Sequence, residues 1–449
     1  MIKKIFTRAL LLLILPLIVA CSNTNYNDAS NPSIEVSEYA SSNSNYDAEP
    51  NPFIEDLEHM IYVLENNFGV LEVAHWAHGI DYREIFANAR ETILAVEEMC
   101  RDKFAAHLGY HFRPLLNTGH FLIITTYDSL QFLENIASSQ ELRILSSPER
   151  EHFYGDMDED RLTTLRYEHF RLYLTYGGQS NRHMVDSPED IVFIEPSVDI
   201  IKENEIVYIS TGMMSLFTLE LEEEISQLDL DGLEHIIIDL RGNSGGQVAH
   251  FTDTLMRPLI NRHLETPEAF ILFSDGPYTR RLEPFFNYAM TAIVGERPFA
   301  PVSAYRPIDE VLADFYLPEL PYVDANRLHY GVPASFEVDF MPQDYSNGFN
   351  GKIWLLVDGR VGSAAQIFAW LVKETGFATL VGETTGGNMG GPSTIAFLPN
   401  TGIMFRFDAL YLTDSRGRSL EAGTIPHHFN RPGMDALQTV LALIEEGEY

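Results

Sequence analysis

Two stretches of this chain set a serine among glycines at the end of an apolar run. The first is His235-Ile236-Ile237-Ile238-Asp239-Leu240-Arg241-Gly242-Asn243-Ser244-Gly245-Gly246. An apolar strand pattern runs into a glycine-rich loop and then a helical pattern, so backbone N–H groups can approach a reacting oxygen where side chains would obstruct. The second is Lys352-Ile353-Trp354-Leu355-Leu356-Val357-Asp358-Gly359-Arg360-Val361-Gly362-Ser363-Ala364-Ala365-Gln366. It ends in a glycine-flanked turn with Ser363 at the start of a helix. A hydroxyl there is either an N-cap or a nucleophile whose oxyanion the helix N-terminus would stabilise. The chemistry open to both stretches is acyl transfer through a serine. A phosphate-binding loop does not fit, because GxxxxGK[ST] lacks its Lys and GxGxxG is not matched.

The elements that must position these loops follow from periodicity. Strands are predicted at Glu205–Ser210, His235–Asp239, Lys352–Val357 and Ala378–Val381, alternating with helices at Leu216–Leu228, Val248–Ile260 and Ala364–Thr375. Ile395–Leu398 and Ile403–Leu412 flank Pro399-Asn400-Thr401-Gly402 and predict a hairpin. Upstream, Leu57, Met60, Ile61, Leu64 and Phe68 fall at helical spacing, as do Ile85, Ala89, Ile93, Val96 and Cys100. Asp81 with Glu84 forms a capping-box pattern opening the second helix. Between 121 and 202 the expectations are a strand at Phe121–Thr126, a helix at Asp128–Ala137, a strand at His169–Tyr176 and a solvated acidic loop at Asp156–Asp160. These elements divide the chain into a signal segment 1–20, a tether 21–52, a helical domain 53–120, an α+β segment 121–202 and an α/β domain 203–449.

The 449 residues carry 30 Lys+Arg against 65 Asp+Glu, a formal charge of −35, with 45% hydrophobic content. Such a chain folds, and its lack of a Lys/Arg field argues against nucleic acid as a partner. Two cysteines leave no internal disulfide once Cys21 is accounted for. Lys3, Lys4 and Arg8 precede the apolar run Ala9–Ala20, an export signal too short to span a bilayer. Ile18-Val19-Ala20-Cys21 resembles a bacterial lipobox, which implies cleavage before Cys21, lipid on its sulfur and attachment to a membrane of the cell envelope. The Asn/Ser-rich stretch that follows reads as a flexible tether. His107 and His111 stand at i, i+4, but Leu108 occupies the place of the glutamate in HExxH, so no metal and no cofactor is expected.

Gly242-Asn243-Ser244-Gly245-Gly246 also satisfies G-x-S-x-G, which would make Ser244 the nucleophile of an α/β-hydrolase esterase, its triad completed by Asp408 or Asp414 and His427 or His428. A trypsin-like reading fails for want of an upstream His segment and a two-barrel strand pattern. The motifs in series carry a different resemblance. Asp239 to Gly246, then Ser363-Ala364-Ala365-Gln366, then Val381-Gly382-Glu383-Thr384-Thr385-Gly386-Gly387 look like the S41 family of serine peptidases, the C-terminal processing peptidases and their tricorn-core relatives. The resemblance implies an α/β fold, a ClpP/crotonase-like catalytic core behind an N-terminal helical domain, and a polypeptide substrate. It makes Ser363 the nucleophile and places oxyanion-hole amides at Gly245, Gly246 and Ala364.

One branch of that family uses a lysine base about 25 residues after the serine. Here Asn388 stands at that position, and Lys373, ten residues along the helix, is ~15 Å away. The tricorn-like branch uses a histidine, and Gly119-His120 matches its position. The same resemblance gives Glu421, in Leu420-Glu421-Ala422-Gly423-Thr424-Ile425-Pro426, as the acid. Three positions depart from the pattern. Gln366 stands where Glu is common, Gly119 where a Ser or Asp precedes the His, and His427 where Asp is common. Without a hydroxyl at 119, Thr118 or a water would have to link His120 to Glu421. A ligand-binding protein on the same fold is the other function this sequence admits.

Overall fold

The structure is a computed structural model. It describes residues 51–116, 118–124, 196–212, 219–230, 232–246, 248–265, 267–276, 306–335, 348–387 and 393–448, with Thr279 besides. The signal segment, Cys21, most of the tether, Asp128–Ala137, Asp156–Asp160, His169–Tyr176 and Asn388 lie outside the described residues.

In chain order the elements begin with α1 (Pro52–Asn67), α2 (Leu71–Trp76), α3 (Tyr82–Ala95) and α4 (Arg101–His111), followed by β1 (Leu122–Ile124), β2 (Ser197–Lys202), β3 (Ile206–Ser210), α5 (Leu219–Ser226) and β4 (His235–Asp239). Next come α6 (Val248–Phe251), β5 (Glu268–Phe273), β6 (Arg306–Pro307), α7 (Ile308–Asp314), α8 (Tyr322–Ala325), β7 (Tyr330–Ser335), β8 (Lys352–Val357) and α9 (Ser363–Glu374). The chain closes with β9 (Thr379–Gly382), β10 (Ser393–Phe397), β11 (Met404–Asp408), β12 (Leu410–Asp414), β13 (His428–Phe429) and α10 (Ala436–Glu446).

The main sheet has the order β13-β9-β8-β4-β3-β2, parallel except for the antiparallel edge strand β2. Its inner strands β4 and β8 are almost wholly apolar because both faces are covered, whereas the edge strands β2 and β13 are largely exposed. Ile236, Ile238, Leu355 and Val357 join the large core, whereas Ile237, Trp354, Leu356 and Val381 pack on the other face with Ala436, Val440 and Leu443 of α10. The α/β class expected from the sequence is therefore the one found. Two antiparallel sheets complete the fold, β12-β5-β7-β6 and β1-β11-β10.

The N-terminal helices share the large core with the α/β part: Leu57, Met60, Leu64 and Phe68 belong to one cluster with Phe405, Phe407 and Leu410. The ring centroids of Phe68 and Phe407 are 6.1 Å apart. Asp56 reinforces the contact by accepting from Asn400 N and Thr401 N of the hairpin turn, each at 2.8 Å. Asp81 caps α3 as its spacing implied, accepting from Glu84 N at 3.2 Å.

Three elements differ from the sequence expectation. The run Ile403–Leu412 breaks at Ala409, so that β11 stays with β10 while β12 crosses to β5. Gly69 packs on that break, where a Cβ would lie 2.6 Å from Leu410 O, and its N–H donates to Asp408 O at 3.1 Å. Cys100 does not extend the stripe of α3, which stops at Ala95; it is the half-buried N-cap of α4. The predicted helix Val248–Ile260 is four α-helical residues followed by a π turn, Thr252–Met256, closed by Arg257 N on Thr252 O at 2.8 Å.

α2 and α8 meet over a buried carboxylate. Asp324 is 1% exposed and accepts from Trp76 Nε1 and Tyr411 Oη, both at 2.9 Å. Desolvation pushes its pKa up to about 6, against the opposing pull of the two hydrogen bonds. A carboxyl with a raised folded pKa weakens the fold above that pKa and relaxes the penalty as pH falls through it. Asp324→Asn keeps an acceptor without the charge. Relative to wild type, the variant should gain on the order of 1–3 kcal/mol more at pH 7.5 than at pH 5. Denaturant unfolding at the two pH values checks this, and an equal difference at both would show that Asp324 does not titrate there.

Candidate active site

Parallel strands deliver their loops to one edge, and three of those loops converge. They are the ones that follow the carboxyl ends of β4, β8 and β9. Asp358 ties the first two together: its Oδ1 accepts from Gly242 N and from Arg360 N, both at 3.0 Å. Asn243 is fully buried and holds the glycine loop. Its Nδ2 donates to Gly212 O at 3.0 Å and its Oδ1 accepts from Gly245 N at 3.0 Å, while its carbonyl accepts from Gly362 N at 3.1 Å. The third loop closes on the helix start, where Ser363 N donates to Gly387 O at 3.0 Å.

The glycine at 245 is required by shape. With φ +116° it lies against the serine turn, and a Cβ there would sit 2.7 Å from Ser363 Cβ and 3.0 Å from Ala364 N. Its N–H, expected as an oxyanion donor, is the one engaged by Asn243. No hydrogen-bond acceptor is found among the described residues for Gly246 N–H or Ala364 N–H.

His120 arrives from the N-terminal helices on a kinked turn. Gly119 has φ +46° and ψ 45°, and His120 and Ser363 each have φ +51°, a conformation non-glycine residues rarely adopt. A side chain at 119 has no room, since a Cβ would lie 2.5 Å from Val70 Cγ2 and 2.6 Å from Phe68 Cε2. That accounts for the missing hydroxyl. The kink is held at two points: Gly119 N donates to the buried Glu421 Oε1 at 2.9 Å, and Arg406 Nε donates to His120 O at 3.1 Å.

The imidazole bridges Ser363 and a carboxylate. His120 Nε2 is 3.0 Å from Ser363 Oγ, and Nδ1 is 2.6 Å from Asp408 Oδ2. An ionised carboxylate only accepts, so Nδ1 carries the proton and Nε2 is left to accept from the hydroxyl. Burial acts to lower the His120 pKa, but the charge and hydrogen bond of Asp408 outweigh it and hold the ring above its ordinary value.

Ser363, His120 and Asp408 are thus brought together, and Glu421 meets the backbone behind the imidazole instead of the ring. Asp408 appeared in the sequence only as a partner for His427 or His428. Its signal was a charge inside an apolar strand run, which needs a partner when buried. The Ser244 constellation is not assembled: Asp408 serves His120, Asp414 Oδ1 accepts from Arg416 N and Arg418 N, and His427 Nδ1 accepts from Leu380 N. Lys373 donates to Ile425 O at 2.8 Å. Gln366, fully buried, joins α9 to the Glu421 loop, donating to Leu420 O at 3.2 Å and Thr424 Oγ1 at 2.9 Å and accepting from Thr385 Oγ1.

A serine, an imidazole and a carboxylate in line, beside a helix N-terminus, define a serine hydrolase site by geometry. The family model for peptidase family S41 matches residues 205–429, and the chain belongs to that family, making it a serine peptidase. Among solved structures it is similar to a protein from Parabacteroides merdae proposed to be a peptidase, at 14% identity over 88% of this chain and 97% of that one, with a TM-score of 0.49. It is also similar to mature CPAF complexed with lactacystin, at 14% identity over 84% and 93% of the two chains and a TM-score of 0.46. A lipoprotein from Streptococcus agalactiae matches at 11% identity over 90% and 99%, with a TM-score of 0.37.

Gly119→Ala tests the cradle. The added methyl meets Val70 and Phe68, so His120 must shift, and a displacement of ~1 Å at a reacting group can cost ~10²-fold. The kcat should fall at least tenfold in protein with native circular dichroism. Unchanged kcat would mean that the kink does not place the imidazole.

Proposed function

We propose that this protein is an exported, lipid-anchored peptidase that cleaves polypeptides of the cell envelope through an acyl-enzyme on Ser363. The observation that carries the chemistry is the 3.0 Å approach of His120 Nε2 to Ser363 Oγ with Asp408 on the opposite ring nitrogen. His120 takes the hydroxyl proton as Oγ attacks the scissile carbonyl carbon. Ala364 N–H and Gly246 N–H face the developing oxyanion, each such donor being worth ~10²- to 10³-fold in kcat. The imidazolium, favoured by Asp408, then gives its proton to the leaving nitrogen and the C–N bond breaks. Water deprotonated by the same imidazole attacks the ester, frees the new carboxyl terminus and returns the proton to Ser363 Oγ. Glu421 works through the Gly119 amide, fixing where the ring stands.

The export signal and the Ile18-Val19-Ala20-Cys21 segment support the location. On this reading Cys21→Ser moves the protein out of the membrane fraction without changing its activity, because the tether precedes the folded part. Membrane retention of the variant after a high-salt wash would refute the anchor.

Ser363→Ala and His120→Ala should each abolish cleavage of an unstructured protein, and the double variant should be little worse, since the pair acts as a unit. The base must be neutral, so kcat/KM rises as pH climbs through the His120 pKa, on the alkaline side of the ordinary imidazole value of about 6.5. Asp408→Asn should move that limb to lower pH and lower its plateau; Glu421→Gln should lower the plateau while leaving the limb nearer its wild-type position. Labelling by a fluorophosphonate probe at Ser244 instead of Ser363, or no cleavage by any form, would sink the assignment.

A further inference from the structure

His427 stands where an acid is common in the S41 pattern, and the catalytic machinery makes no use of it. It helps to line a cavity of about 300 Å³ at the amino ends of β8 and β9. Leu264, Phe349 and Phe377 give this cavity an apolar wall, and Arg262, Lys352 and His427 give it a cationic one. No Asp or Glu is among the described residues that line it, in a chain where acids outnumber Lys and Arg by 65 to 30. The cavity is remote from the nucleophile. Ser363 opens α9, whereas Gly376 and Phe377, just past the other end of that helix and ~18 Å further along, border the cavity.

The three basic side chains are held in place yet lack a counter-charge. Arg262 Nη2 donates to Gly376 O at 3.1 Å, covering a carbonyl at the end of α9, and its fork makes no further hydrogen bond or ion pair among the described residues. Lys352 is half-buried beside Trp354, with Nζ 5.4 Å from the ring centroid and no carboxylate in ion-pairing reach among the described residues. Burial pushes its pKa down, and no acid pushes it back. His427 Nδ1 accepts from Leu380 N at 2.9 Å, which leaves the N–H of the neutral ring on Nε2. Burial lowers its pKa, and after burial so do Lys373, His428 and Lys352, every one of them basic. Desolvated basic groups without a partner are costly. An anion in the cavity relieves that cost at Lys352 and His427 together.

From the lining and charge of this cavity we propose that it binds a small organic anion, a carboxylate or phosphate group carried on an apolar body, with Arg262, Lys352 and His427 around the charged head and Leu264, Phe349 and Phe377 against the body. Apolar walls with a few placed polar groups, enclosing ~300–1,000 Å³, are the usual form of a small-molecule site. An aspartate at 427 could accept from Leu380 N as the histidine does, but its charge would repel the anion. The site stands apart from the peptidase reading, since none of its residues takes part in the chemistry at Ser363. A ligand bound there stabilises the native fold by mass action.

The test titrates the protein with 4-phenylbutyrate and with phenyl phosphate, followed by calorimetry and by thermal unfolding. The uncharged 4-phenylbutan-1-ol and inorganic phosphate serve as the body-only and head-only controls. At least one of the two organic anions should bind with one ligand per chain and raise Tm by several degrees at saturation, and the stronger of them tells a carboxylate head from a phosphate one. Neither control should match it. His427→Asp, which retains an acceptor for Leu380 N, should weaken that binding about tenfold or more, and Arg262→Gln, a change at an exposed side chain, should weaken it several-fold. Absence of saturable binding by both organic anions would overturn the site. So would equal binding by the alcohol or by inorganic phosphate, or undiminished affinity in the folded variants.

Discussion

Everything in this fold serves one contact between residues 243 positions apart, the hydrogen bond from Ser363 Oγ to His120 Nε2. The serine opens the helix that follows β8 of the parallel sheet and the histidine ends the N-terminal helical segment, and neither region can align the pair alone. The shared core therefore carries a functional load beyond stability. Phe68 stacks on Phe121 and meets Phe407 edge to face, with ring centroids 6.0 and 6.1 Å away, and this packing holds the strand bearing Asp408 against the turn bearing His120. A helical domain closed on itself and joined by a linker would leave that distance to diffusion. One continuous close-packed core holds it to within the tolerance that proton transfer needs.

Backbone strain concentrates at the same place. Among the described residues, three non-glycine residues have left-handed φ: His120, Ser363 and Asn204. Asparagine tolerates that region, but histidine and serine pay ~1–3 kcal/mol when held in such sparsely populated conformations. Both are over-determined by neighbours. Ser363 is pinned by Gly387 O, and by a Gly245 so close that any side chain would collide. His120 is pinned by Arg406 on its carbonyl and Glu421 on the preceding amide. Gln366 extends this bracing, because its amide links the nucleophile's helix to the loop that carries Glu421. Glutamine suits that station, since it meets a carbonyl and a hydroxyl with its donors and the Thr385 hydroxyl with its acceptor; a carboxylate would bring only acceptors to two of those partners.

How much of this could be read beforehand depended on whether the information was local. Strands β4 and β8 and helix α9 were legible almost to the residue, because apolar runs bounded by Gly and Asp encode them within a few positions. The serine and the histidine were reached by motif resemblance, since the local pattern left Ser363 as N-cap or nucleophile and Ser244 as its rival. The division of labour between the carboxylates was not. Glu421 sits in the matching motif but faces an amide, while Asp408 lies in a strand run whose two halves belong to different sheets. Nothing local to Ile403–Leu412 announces the break at Ala409, where Gly69, some 340 residues earlier, packs against the backbone. Cys100 misled for a related reason: the apolar spacing of α3 continues past Ala95, and the helix ends there all the same.

Two buried carboxylates near one imidazole pull its proton affinity up, and two other influences pull it down. A single aspartate in direct contact raises the ring's proton affinity, and the nearby Glu421 adds to it. Both act in the direction of the imidazolium, the form in which Nε2 has no lone pair to offer Ser363. Burial disfavours the charged ring, and the Arg406 guanidinium, bonded to the His120 carbonyl, opposes the proton from the other side. The opposition limits how far the ring's proton affinity rises, and the net direction stays upward, so the imidazole holds a proton more strongly than a free one does. Placing Glu421 on the Gly119 amide fits this balance. There the second carboxylate supplies geometry through a charge-assisted hydrogen bond, while its effect on the imidazole stays the smaller of the two.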